Sequence, residues 1–145
     1  MYGDSEVMRR RAAQLRDQAV DITALADQLV GRAEAAQWHG RAAESMRMRI
    51  RDRAHALRET AARHQHAAEV LERHAAEVDL RKDVIAEMEQ RAARLVEEAR
   101  ARVATAVAPD PVDEQLVAFD PPPAGHKDWL TVELPGLSAN WTGRP

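Results

Sequence analysis

An alanine returns every seventh residue along two stretches of this chain, at Ala12, Ala19, Ala26 and Ala33 and again at Ala54, Ala61, Ala68 and Ala75. Between these alanines stand Met8, Leu15, Ile22, Leu29 and Ala36 in the first stretch, and Ile50, Leu57, His64, Leu71 and Val78 in the second. The alternating steps of four and three describe an apolar seam along a helix that faces another helix. Alanine at one seam position lets two backbones approach closely, while leucine and isoleucine at the other fill the remaining gap. A chain patterned this way is restricted to helices packed side by side.

Composition agrees with a thin bundle. Of 145 residues, 45% are hydrophobic, but there is one Phe and one Tyr, and alanine supplies much of the apolar count. That is too little bulk for a sandwich or a doubly wound sheet, so the expected class is all-α. The two heptad stretches meet at Trp38-His39-Gly40. Gly40 can take the left-handed conformation that ends a helix, and Trp38 can fold over the ends of both helices. A connection this short makes the helices antiparallel.

The expected organisation is a helical hairpin over residues 1–107 followed by a proline-rich tail over 108–145. Helix 1 covers about 5–37, with Asp4 or Ser5 as its cap and Glu6 against the helix dipole. The turn is 38–40, and helix 2 covers about 41–107, a span with neither Gly nor Pro. Near residues 79–83 the alanine row gives way to Lys82 and Glu89, and a rotated stripe of Ile85, Met88, Ala92 and Leu95 takes over. Helix 2 either breaks there and folds back or continues and offers the stripe to something else; the absence of a helix breaker favours continuation. Ile85, Met88 and Leu95 are therefore the candidate partner-facing stripe. Pro109, Pro111, Pro121, Pro122, Pro123 and Pro135 exclude long helix from the tail. Its Phe119, Trp129, Leu130, Leu137 and Trp141 are too apolar for a solvated linker, so the tail is expected to dock on the helix 2 stripe or to insert into a partner.

Several function classes are disfavoured by what the residues supply. With no cysteine there is no disulfide framework and no thiolate chemistry. His55, His64, His66 and His74 contain no i, i+4 pair, and His66 with Glu69 makes two ligands rather than a site, so no metal or other cofactor is expected. A seam histidine such as His64 reads either as a hydrogen-bonded core residue or as a pH-sensitive interface group. No phosphate loop or nucleophile elbow is present and the carboxylates lie among arginines on helix surfaces, so no enzyme is expected. The formal charge of −3 and the single helical aromatic, Trp38, argue against nucleic acid. Arg47, Arg49, Arg51 and Arg53 fan around the helix among acids rather than forming a stripe. No stretch approaches the roughly 20 apolar residues of a membrane span, and Met1 to Arg11 has no secretory leader pattern.

Trp38 and Gly40 at a turn near residue 40, flanked on each side by an Ala/Leu heptad helix, resemble the WXG family of small helical-hairpin proteins. These are substrates and partners of the type VII (ESX-type) secretion system of Gram-positive bacteria, and the Ala/Arg-rich composition is similar to that of actinobacterial members. The resemblance covers Met1 to about Val78. It implies a four-helix bundle made by two hairpins, as a homodimer or as a heterodimer with a related hairpin, exported folded by this non-classical route. Trp38 and Gly40 are then the interaction and turn motif, and a toxin or a secretion ATPase is a further class of partner. Longer actinobacterial proteins that carry such a hairpin as a secretion module ahead of or beside a toxin resemble the whole chain more closely. One family feature departs: the Tyr-x-x-x-Asp/Glu signal that follows the second helix has no tyrosine here, since the only one is Tyr2. Trp129 and Glu133 place an aromatic and an acid at that spacing. The expected function is thus a non-enzymatic helical interaction protein acting through coiled-coil dimerisation as a type VII substrate or partner. The alternative is a cytoplasmic coiled-coil scaffold or adaptor for a toxin-like partner.

Overall fold

The computed structural model of the chain describes residues 5–137, so Tyr2, Asp4 and Trp141 lie outside the described residues. The architecture is all-α. Helix α1 spans Ser5–Ala35, α2 spans Arg41–Thr105 and α3 spans Pro111–Val117; a short 3-10 helix follows at Lys127–Thr131. No strand occurs among the described residues, and the one isolated bridge pairs Leu134 with Leu137. The chain forms two compact units that divide within α2, one ending at Ala76 and the other beginning at Glu77.

The first unit is an antiparallel hairpin of α1 against the first part of α2. Its register is fixed by the ion pairs Arg16 to Glu72, Asp27 to Arg58 and Glu34 to Arg51, which descend α2 as they ascend α1. This register sets the alanines of α1 opposite those of α2. Ala12, Ala19, Ala26, Ala33, Ala43, Ala54, Ala61, Ala68 and Ala75 are all buried, and apart from Ser5 no other described residue of the unit is. The leucine positions behave differently: Met8, Leu15, Ile22 and Leu29, with Ile50, Leu57, His64 and Leu71, are only half-buried. Small side chains bring the backbones together before the larger ones at the margin are enclosed.

α1 ends at Ala35, two residues before the extent expected from the pattern, and Ala36–Gly40 make the connection. Gly40 has φ of +97°, the left-handed region that favours glycine. α2 runs unbroken through residues 79–83 to Thr105, as a span without Gly or Pro permits.

In the second unit the proline-rich segment folds back onto the later part of α2. Ile85, Met88, Ala92, Trp129 and Leu137 are buried together, with Val84, Leu95, Phe119, Leu130, Val132 and Leu134 packed around them. Pro111 sits at the start of α3, where a missing N–H costs nothing, and the Asp110 carboxylate accepts a bond from the Val112 N–H at 2.8 Å. Gly136, with φ of +84°, turns the chain tightly over Leu95.

Candidate interaction site

The hairpin end is closed by a side chain that the heptad pattern passes over. Arg47 stands where the alanine row would place another alanine, seven residues before Ala54. Its guanidinium donates to the carbonyls of Ala33 at 3.3 Å, Ala36 at 3.0 Å and Trp38 at 2.8 Å. The first two are carbonyls at the end of α1, the third lies in the connection, and a cation there also complements the helix dipole. The break in the alanine row was the only sequence signal for this role. Arg47→Met is expected to fray the end of α1, at a cost of roughly 1–3 kcal/mol for lost hydrogen bonds to a charged donor. Hydrogen exchange at residues 32–40 should accelerate while exchange near Ala19 and Ala68 stays slow.

Trp38 does not close over the two helix ends, contrary to expectation. The connection is longer than the expected three residues, its carbonyls are held by Arg47, and the indole is 54% exposed. It borders a shallow apolar hollow with Ala42, Ala43 and Met46. Trp38 and Gly40 thus divide the work of the turn: the glycine supplies the backbone geometry, and the tryptophan presents aromatic surface.

The two sides of the hairpin seam differ in chemistry. In antiparallel helices, residues four after each seam alanine lie on one side of the contact in both helices, and residues three after lie on the other. The first side carries all three ion pairs of the register, with a hollow lined by Val20, Thr23, Ala24 and Ala62 between them. Arg16 donates two bonds to the Glu72 carboxylate, one of 2.7 Å, and Arg58 meets Asp27 at 2.7 Å. The bonded guanidinium holds the Glu72 carboxyl below its ordinary range, and Arg16 is correspondingly harder to deprotonate. The second side is the half-buried row of Leu15, Ile22, Leu29, Ile50, Leu57 and Leu71. It widens outward through Leu25 and Met46, which are 49% and 44% exposed. His64 lies within this row, and its Nδ1 donates to the Thr60 carbonyl at 2.9 Å. A carbonyl only accepts, so Nδ1 carries the proton and Nε2 remains available.

The stripe of Ile85, Met88 and Leu95 is occupied by the chain itself. Ile85 is 2% exposed, Met88 is also buried, and Leu95 is half-buried, all beneath the folded-back segment. Trp129 anchors that segment: it is 4% exposed, its Nε1–H donates to the Pro123 carbonyl at 3.1 Å, and it meets Phe119 edge-on with centroids 6.2 Å apart. Polar ties flank this core. Gly125 N–H donates to the Glu89 carboxylate, and Arg102 grips Asp113 through bonds of 2.7 to 3.0 Å.

The Arg102 guanidinium holds the Asp113 carboxyl below its ordinary value of 3.8. The carboxyl is therefore more acidic folded than unfolded. Its contribution is fully present above the unfolded value and disappears as pH falls through the lowered folded value. Amide protection in α3 should accordingly stay level from about pH 7 to about pH 5 and decline only below about pH 4. In Asp113→Asn the decline attributable to this pair should vanish, and protection should be lower throughout.

Among the described residues, no group of three His, Asp or Glu side chains could hold a metal ion, and no helix is long and apolar enough to cross a membrane. Comparison with protein-family models, curated proteins and solved structures finds no significant match to this chain.

Proposed function

We propose that this chain is a non-enzymatic helical interaction protein whose hairpin pairs, through its half-buried leucine row, with a second helical hairpin. The observation that carries this reading is the asymmetry of the seam. One side is crossed by ion pairs, while the other carries a half-buried apolar row, interrupted by His64. Apolar rows of this kind are completed by another helix pair to give a four-helix bundle. With the WXG resemblance, the role that fits is a substrate or partner of a type VII secretion machine, with Trp38 as the exposed aromatic of the turn.

The test is recovery of the chain from the medium of intact host cells. Wild type should be found outside, accompanied by a second helical protein, and Trp38→Ala should remain inside while keeping wild-type helicity. A chain held inside the cell in a stable complex, with Trp38→Ala indistinguishable from wild type, would favour the second reading. That reading is a cytoplasmic scaffold or adaptor for a toxin-like partner. What favours it is the folded-back segment, which covers the α2 stripe and ties the residues after α2 to the helix.

A further inference from the structure

The fixed charges bordering the leucine row are all arginines, and this bears on which second hairpin the row accepts. On α1 the border row is Arg11, Gln18, Leu25 and Arg32, each one residue before a seam alanine. On α2 the equivalent row is Met46, Arg53, Thr60, Ala67 and His74. No carboxylate stands on either row among the described residues. In the antiparallel register Arg32 and Arg53 flank the apolar row toward the turn, and Arg11 and His74 flank it toward the other end. Arg32 and Arg53 make no ion pair among the described residues, and Arg11 bonds only the neutral Gln14, at 3.1 Å. One row further out stand Arg49, Arg63 and Glu77 on α2 and Asp21 on α1.

A second copy of the chain suits this face poorly. Two copies apposed in the same direction bring Arg32 and Arg53 against themselves; apposed in opposite directions, they bring this pair against Arg11. Both arrangements set arginine against arginine across the contact. We infer that the leucine row is built to receive a different chain, a helical hairpin whose apolar face is bordered by carboxylates placed to meet Arg11, Arg32 and Arg53. This inference rests on the pairing proposed above and specifies the chemistry of the partner. A protein is favoured over an anionic membrane surface because the row lies half-enclosed between two helices at heptad spacing. It also carries no aromatic side chain of the kind that anchors interfacial helices.

The test uses the full chain and a charge-reversed copy as a surrogate partner, Arg11→Glu/Arg32→Glu/Arg53→Glu. All three sites are exposed and glutamate is as good a helix former as arginine, so the variant should fold. At about 50 mM salt, where screening is weak, an equimolar mixture should form a 1:1 heterodimer. Its affinity should exceed either self-association by about tenfold or more, and the advantage should shrink as salt is raised. If wild type self-associates as tightly as the mixture, at all salt concentrations, the charge inference falls while hairpin pairing stands. If neither wild type nor the mixture associates even at high salt, the pairing falls and the inference falls with it. Binding of wild type to anionic vesicles, without binding to the reversed copy, would overturn the choice of a protein partner.

Discussion

Replacing Trp129 by alanine is expected to release the folded-back segment from α2 and to cost about 3–5 kcal/mol of the second unit's stability, the range for truncating a buried tryptophan. The size of the effect follows from how little else holds the segment. Its buried side chains besides Trp129 are Leu116 and Leu137, and the polar ties at Asp113 and Gly125 lie near the surface, where such bonds contribute little. The indole covers Ile85, Met88 and Ala92 together, and its N–H satisfies the Pro123 carbonyl. Removing it opens a cavity, leaves an acceptor without its donor and exposes the stripe to water. Proteases should then cut more readily within residues 106–136 than in wild type, while hydrogen exchange near Ala26 and Ala61 stays at its wild-type rate. Trp38→Ala is the control: an indole that is more than half exposed should leave the 106–136 segment as protected as before. Unchanged protease resistance in Trp129→Ala would mean that the segment is held by its polar ties instead.

The contrast between these two tryptophans also shows where the sequence was readable. The heptad alanines specified two helices packed side by side and the short connection made them antiparallel, but a repeat of seven matches itself after a slip of seven, so the register is visible only in the ion pairs. The long span without Gly or Pro favoured α2 as one helix without deciding it, and the structure shows it unbroken over Arg41–Thr105. The tail was legible only as apolar composition, since its contacts have no period. Trp129 finds Pro123, Gly125 finds Glu89, and Arg91 approaches the Gly136 carbonyl at 3.5 Å, each a pairing between residues that no repeat relates. Arg47 was hidden for a related reason. An arginine in an alanine row reads as a lapse in the pattern until the end of α1 and the connection place three carbonyls around it. The border charges, by contrast, were in the sequence throughout. They gained meaning only once the ion pairs showed on which side of the seam the charges of the two helices already pair.

The seam itself should respond to substitution in the reverse of the usual order. In an ordinary core, trimming a leucine costs more than enlarging an alanine, because large side chains fill the interior. Here the fully enclosed positions are alanines: Ala12, Ala26, Ala54, Ala68 and Ala75 are inaccessible to solvent, while the leucines beside them are half-buried. Ala68→Leu would push an isobutyl group between two backbones set apart by methyl groups. The helices would have to separate locally, drawing apart the Arg16 and Glu72 side chains that lie one turn from the seam. A cost of about 2–3 kcal/mol is expected, at the upper part of the range for over-packed cores. Leu57→Ala removes a side chain that already touches water, so about 1 kcal/mol is expected from the apolar area lost. Chemical denaturation of the monomeric chain at low concentration would measure both. If Ala68→Leu proved the milder of the two, the helices would be separated by more than alanine requires. If bound partner raised the cost of Leu57→Ala to several kcal/mol while leaving that of Ala68→Leu unchanged, the half-buried row would be the surface that association completes, since a position gains importance on binding only where binding removes it from water.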